Sequence, residues 1–483
     1  MAIPGAATSG KILSGIKDGT YQKLVYRRIP AFVMLSMGMR VGDEESNHKE
    51  LGYPHVLPTD LNVGNTVLFS KQEWDRDFEA VSAMAEKDPN FLHRVLEGGT
   101  ALGEKLMGMG DEIFSTSFEG EREVRLYEEF GSFYFEWIRI FSYLDSILNI
   151  EKYIESKMRQ ILEVRGCKDV EGTLYAMAKP SKKTIDANER LDMLRIASEC
   201  KQGISEEKLS GLIDEHIEKY WFTSFSWGSG SPMSRGDLLL RIKEAKEPDA
   251  ELEKLAYEEE MQIDDMELRR WSDLGRGYAW LRTARHQAAS FSLVKVQHSL
   301  LKELGRRKGI EPWDILWSYP EELTEGNLQP ASVLRERQRF PVFGTLEGEV
   351  VKLYGDSAEA LVKEVNRFFI GEVEFAKGIV ANKVMNISGK AKIVRTADEI
   401  GKVEHGDILI APMTAPSFAP ALERAAAFVT DEGGILCHAA IISREMGKSC
   451  IVGTKSATAI FKDGDVVELD IDKGTVKKAE HSK

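Results

Sequence analysis

From about Ser70 to Leu323, apolar positions recur every three or four residues, the spacing that lines one face of a helix. Trp74, Phe78, Val81 and Met84 make one such stripe, with Lys71 to Asp77 supplying its polar side. Tyr127, Phe130, Tyr134, Trp137 and Phe141 make an aromatic stripe, which at this spacing is read as helix core rather than as a ligand wall. Ile154, Met158, Ile161 and Leu162, then Leu191, Leu194 and Ile196, then Leu209, Leu212 and Ile213 predict further helices. After Gly378 the rhythm changes to short apolar runs cut by glycines. These predict strands over Gly378–Met385, Lys390–Arg395, Asp407–Ala411, Ala425–Thr430, Cys450–Gly453 and Val466–Leu469. Residues 1–65, broken by Pro30 and Pro54, read as an irregular lead-in, and residues 326–375, with Pro330 and Pro341, as a linker. The expected architecture is a multidomain α+β protein: a large, mostly α-helical region over 66–325, then a compact β/α domain over 376–480.

Composition narrows the function classes. A chain of 483 residues, 42% hydrophobic and 29% charged, is globular and long enough for several cores. Its net charge of −14 gives no electrostatic support to a nucleic-acid partner, and none is expected. Cys167, Cys200, Cys437 and Cys450 lack C-x-x-C spacing, so neither a structural zinc nor any other metal site is expected, and the usage suits a reducing compartment. Met1 to Lys11 lacks the basic start and apolar core of a secretory signal. Ile29–Met39 and Ile138–Ile150 are too short or too charged to span a bilayer. No membrane association is expected, and the expected location is cytoplasmic.

Two stretches of the helical region carry candidate chemistry. Arg282, Arg285 and His286 stand at i, i+3 and i+4, which places them on one helix face where they would suit a phosphate or a transferring phosphoryl group. The alternative is ion pairing with the acidic stretch just before it, Lys243 to Arg270, whose Glu258–Glu259–Glu260 and Asp264–Asp265 fan outward rather than converging on a metal. Earlier, Tyr220 to Met233 sets five aromatics, Trp227 among them, beside a Gly/Ser turn. They read either as a small-molecule wall or as filling between two helices. Ser234, three residues before Asp237, predicts the cap of the next helix.

The most informative stretch is Thr430 to Glu445. A strand-like run ends in Thr430, Gly433 and Gly434 permit a close backbone turn, and Ala439, Ala440, Ile441, Ile442 and Met446 resume helical spacing. His438 therefore stands at a helix start, where free amides and the helix dipole favour an anion. An imidazole so placed can attack a phosphoryl group and hold it as a phosphoramidate. The other reading is a core or capping histidine. Cys437 and His438, about a hundred degrees apart on a helix, do not converge on one ion.

The pattern Thr430-Asp431-x-Gly433-Gly434-x-x-Cys437-His438-Ala439-Ala440-Ile441-Ile442-x-Arg444-Glu445-x-Gly447, with Ile451-Val452-Gly453-Thr454, resembles the phosphohistidine signature of the phosphoenolpyruvate-utilising enzymes. That family includes phosphoenolpyruvate synthase, pyruvate phosphate dikinase, rifampicin phosphotransferase and phenylphosphate synthase. Met413-Thr414-Ala415-Pro416 and the helix-like Phe418 to Ala427 extend the likeness over about the last hundred residues. The resemblance implies a swivelling phosphohistidine domain, with His438 as the phosphorylated residue and Gly433, Gly434, Arg444 and Thr430 around the phosphate. Glu432 replaces an arginine of the phosphoenolpyruvate synthases, and Leu436 replaces the threonine on which a regulatory kinase acts in some members.

No stretch resembles an ATP-grasp half, a Walker-type glycine loop or the phosphoenolpyruvate-binding barrel. The expectation is thus one phosphotransferase subunit of a split system. An ATP-grasp-type partner would supply ATP and Mg2+, no cofactor would bind this chain, and a small-molecule acceptor would sit in the helical region facing Arg282, Arg285, His286 and Trp227. A phosphocarrier or regulatory protein without acceptor chemistry is the alternative, and a degenerate scaffold domain the third.

Overall fold

The computed structural model describes the chain except for residues 1–4, 27–29, 42, 53–56, 58, 65, 144–145, 178–179, 181, 226–231, 246–247, 250–251, 253–262, 371–374, 395–396, 415–417, 432–437, 455 and 480–483. The chain begins with an ordered α/β unit. β1 (Tyr21–Tyr26), β2 (Asp60–Val63) and β3 (Thr66–Ser70) join β4 (Val342–Leu346) and β5 (Glu349–Leu353) in an antiparallel sheet of order β1-β3-β2-β4-β5. Helices Gly5–Lys17 and Asp356–Ile370 contribute Ile12, Ile16, Leu361 and Val365 to a core with Leu61, Leu68 and Val342 from the strands. Helix Ala31–Val41 also packs on β2 and β4, its Gly38 lying against Thr345 and the Asp60 carbonyl.

This corrects two expectations. Residues 1–65 are not an irregular lead-in, and residues 326–375 are not merely a linker, because each supplies strands to the same sheet. The strands run only four to six residues, and β2 finds β4 far along the chain, so neither half shows an amphipathic pattern that stands alone. The helical region is inserted between β3 and β4.

Within that insertion, helix Met266–Val296 is the spine, packed against Phe91–Ser115 and Ser146–Val164. Small residues allow the close approach: a Cβ on Gly110 would lie 2.9 Å from the Ser292 Cα. The aromatic stripe is core, with Phe130, Trp137 and Phe141 fully buried, and the Trp137 indole donates to the Ala289 carbonyl at 2.9 Å. A side bundle of Ile185–Lys201, Glu206–Tyr220 and Arg235–Glu244 has its own core of Leu194, Ile213 and Leu238. Ser234 caps its third helix by accepting from the Asp237 amide at 3.1 Å.

The C-terminal domain is an eight-stranded sheet of order β6-β13-β12-β8-β9-β10-β11-β7. Its strands are β6 (Phe375–Lys377), β7 (Ile379–Asn382), β8 (Ile387–Ile393), β9 (Ile408–Ala411), β10 (Ala427–Thr430), β11 (Ser449–Val452), β12 (Val466–Asp470) and β13 (Thr475–Lys478). β8, β9, β10 and β11 run parallel. Each of the six predicted runs contains or overlaps one of these strands. Two hydrophobic clusters cover the sheet, one with Phe428, Leu422 and Ala440, the other with Ile410, Val429 and Phe461. Among the described residues, neither cluster includes a side chain from before residue 376, so the domain folds round its own core.

Candidate functional site

Parallel α/β sheets place ligands beyond the carboxyl ends of their strands. Here β9, β10 and β11 end side by side at Ala411, Thr430 and Val452, and the helix after β10 begins at His438. Three hydrogen bonds tie the strand ends together: Asp431 N to the Ala411 carbonyl at 3.0 Å, and both Thr454 N and Thr454 Oγ1 to the Thr430 carbonyl at 3.0 Å. The Asp431 carboxylate, almost fully buried, accepts from Thr454 Oγ1 at 3.1 Å, from Thr458 N at 3.2 Å and from Thr458 Oγ1. One side chain thus pins the strand that leads into the glycine turn to the loop and helix that follow β11. Burial pushes the Asp431 carboxyl up from its ordinary value, while the Thr458 hydroxyl and the Lys23 ammonium of β1 pull it back.

The helix His438–Glu445 is held from its far end. Asn382 Nδ2 donates to the Ser443 and Lys448 carbonyls at 2.9 Å each, and Gly447 takes φ of 63°, the left-handed geometry that ends a helix. Lys448 Nζ donates to the carbonyls of Leu422, Glu423 and Ala425, closing helix Ala419–Arg424. Gly453, at φ of 70°, turns the chain beyond β11.

The expected site residues are placed unequally. The backbone of His438 is the first residue of its helix, as its sequence position predicts. Gly433, Gly434 and Trp227 lie outside the described residues, as do the side chains of His438 and Arg444. Thr430 is fully buried, with its carbonyl held by Thr454. At the expected anion face, 282–286, an ion pair is present. Arg282 pairs with Glu151 at 3.2 Å, Arg285 is buried and its charge acts on the same carboxylate, and His286 is half-buried. Glu151 is itself pushed up by burial and held down by Arg282 and Arg285. The partner of Arg282 lies on helix Ser146–Val164, while Glu258–Glu259–Glu260 of the preceding acidic stretch lie outside the described residues.

Sequence reasoning missed a buried charge cluster in the side bundle. Glu189 accepts from both guanidinium nitrogens of Arg241 at 2.7 and 2.8 Å, and pairs with His216 Nε2 at 2.9 Å. Burial alone would raise the Glu189 carboxyl; Arg241 and His216 outweigh it and bring it down to about 2. Beside it, Asp186 accepts from Gln287 Nε2 at 2.7 Å, and burial pushes its carboxyl up to about 7 despite that bond. Glu423 of the C-terminal domain acts on Arg241, and helix Ala419–Arg424 packs on helix Arg235–Glu244. Glu189, His216 and Arg241 come from three helices, and only the unusual histidine within Glu206–Tyr220 hinted at them.

Because Asp186 carries a folded-state value above its unfolded one, its stabilising contribution is complete below about pH 4 and is lost as pH rises through about 7. Asp186→Asn should therefore be more stable than the parent at pH 8 and equal to it near pH 4. Because Asp186 keeps some solvent contact, we expect a gain of about 1–2 kcal/mol rather than the full linkage value. Denaturation curves at the two pH values check this; a gain independent of pH would contradict it.

No helix of the described residues is long and apolar enough to cross a membrane, and no group of three or more His, Cys, Asp or Glu among them could hold a metal ion.

The geometry defines a compact β/α domain that presents a histidine at a helix start beyond the ends of parallel strands. Residues 403–474 match the family model described as PEP-utilising enzyme, mobile domain. The chain is similar to a probable phosphoenolpyruvate synthase of Archaeoglobus fulgidus, 58% identical over 89 residues, 18% of this chain and 12% of the relative. It is 38% identical over 172 residues to the phosphoenolpyruvate synthase of Pyrococcus furiosus, 35% of this chain and 18% of the relative. It is 31% identical over 172 residues to the Uncharacterized phosphotransferase YvkC of Bacillus subtilis, 34% of this chain and 21% of the relative. The chain thus spans about a fifth or less of the length of each of these relatives.

Proposed function

We propose that this protein is a phosphotransferase subunit in which His438 takes a phosphoryl group from a separate ATP-grasp-type polypeptide and passes it to a small molecule held by the helical domain. ATP and Mg2+ belong, in this reading, to the partner. The observation that carries the proposal is the start of a helix at His438, on a domain with its own core, where the strands β9, β10 and β11 end together. A phosphoryl group cannot cross solvent; donor, carrier and acceptor must each come into in-line contact, which a separately folded unit can achieve by moving as one body. The helix amides favour the bound anion, and the ring nitrogen forms the P–N bond as the phosphoanhydride of the donor breaks.

The test is a two-component assay with ATP labelled at its phosphates. Label should appear on this chain only when the ATP-grasp protein encoded beside it, or copurifying with it, is added. Labelling of the purified chain alone would overturn the split arrangement. Labelling that never passes to any small molecule would favour the phosphocarrier.

A further inference from the structure

Where helix Lys71–Lys87 ends, the wall of helix Ser146–Val164 and the start of the spine helix leave an open cleft of about 450 Å³. Tyr153, Lys157, Gln160, Ile161 and Val164 recur every three or four residues and line it from one helix face. Leu92, Tyr153 and Leu274 make a buried apolar floor, and the Tyr153 and Trp271 rings meet edge to face at 5.9 Å. Two apolar side chains beside it stand largely in solvent. Val164, on the lining, is 74% exposed, and Met266, next to the lining residue Glu267, is 82% exposed. Apolar surface left in water around a buried apolar floor marks a place where the apolar part of a ligand is stabilised.

The charges of the cleft are not evenly matched. Lys157 pairs with Glu86 at 3.3 Å, and its ammonium lies over the Tyr153 ring. Arg165 pairs with Asp265 at 2.9 Å, and the Glu267 carboxylate acts on it as well. Arg270 differs. Its guanidinium donates to the Pro89 carbonyl at 3.0 Å, a neutral acceptor, and no carboxylate among the described residues pairs with it. One lining cation thus keeps its charge for an incoming anion. Glu86 and Glu267 stand on the same walls, which favours a head group with one negative charge over a phosphate with two.

Shape narrows the ligand further. From Tyr153 to Val164 the wall runs about 16 Å, three helical turns. Spread over that length, the volume leaves a mean cross-section of about 28 Å², which suits one extended hydrocarbon chain. With bonds near 1.5 Å, a chain of about ten carbons fills it together with its head group.

We propose that this cleft binds a linear monocarboxylate of about ten carbons, with its acyl chain on Leu92, Tyr153 and Leu274 and its carboxylate on the Arg270 guanidinium. The chain displaces water from the apolar floor and covers Val164, while the carboxylate accepts the charged hydrogen bonds that the guanidinium offers. The site needs no phosphoryl chemistry and does not rest on the reading of His438.

Decanoate, decyl phosphate and decanol, each below its micelle concentration at pH 8, are titrated into the full chain and followed by ligand-observed NMR. Decanoate should bind saturably, more tightly than either of the others, and should raise Tm as its concentration rises. Arg270→Gln should weaken decanoate about ten-fold and leave decanol unchanged. Ala85→Trp fills the cleft from a half-buried wall position and should abolish binding of both, with the Tm of the unliganded variant showing that it folds. Absence of saturable decanoate binding to the parent overturns the site, as does undiminished binding to a folded Ala85→Trp. Decanoate binding that Arg270→Gln leaves untouched, or tighter binding of decyl phosphate than of decanoate, overturns the carboxylate assignment.

Discussion

His438→Asn should lose phosphoryl transfer by on the order of 10³-fold or more, because no other group at that helix start can form the P–N bond. Asparagine is a good helix-start residue, so the helix His438–Glu445 should form as before. The outcome separates chemistry from folding: labelling in the two-component assay disappears, while hydrogen exchange over β10 and β11 stays unchanged. Residual labelling within ten-fold of the parent would mean that another residue accepts the phosphate.

The second large effect falls on Asp431. Truncation to alanine leaves the Thr458 amide and hydroxyl and the Thr454 hydroxyl facing a cavity in a buried region. Stranding buried donors costs about 3 kcal/mol, and it frees the base of the loop that precedes His438. The domain should lose protection from hydrogen exchange at Ala427–Thr430 and Ser449–Val452, and phosphorylation should fall at least about ten-fold. Asp431→Asn is the informative contrast. Its carbonyl oxygen can accept from Thr454 and the Thr458 amide while its NH2 faces the Thr458 hydroxyl, so it should cost about 1 kcal/mol or less. Equal losses in the alanine and asparagine variants would show that the charge matters rather than the hydrogen-bond geometry. Exchange is the right probe here because all eight tryptophans precede the domain, from Trp74 to Trp317.

What the sequence made legible follows from range. The strands and the helix at His438 are local patterns, several with a glycine near an end, and their parallel order follows from the motif that contains them. The stripe from Tyr127 to Phe141 is legible for the same reason: spacing along a helix is a local signal. The N-terminal sheet is not local. Its β2 is four residues long, and its neighbour β4 enters only after the whole helical insertion. Register across such a gap is set by tertiary packing, and nothing in either half announces it.

The charged groups show a second limit. Arg282 and Arg285 share a face, as their spacing requires, but the spacing could not name Glu151 as the carboxylate they serve. Helices adjacent in sequence need not be adjacent in space. Asp431 sat inside the recognised signature without a role, because its partners Thr454 and Thr458 belong to the segment after β11. His298 lies in the stretch Phe291 to Leu301 beside Ser292, Lys295, Gln297 and Ser299, so nothing in its local sequence singled it out. Trp221 and Phe225, already noted, then find it across the fold.

The most direct test of the account is to locate the phosphate itself. The wild-type chain, incubated with ATP, Mg2+ and the proposed ATP-grasp-type partner, is digested under alkaline conditions that preserve phosphoramidates and sequenced by mass spectrometry. The account predicts an added phosphoryl group on the His438 ring, lost on brief acid treatment. Phosphate found instead on a serine, threonine or different histidine, with His438 unmodified, would contradict it.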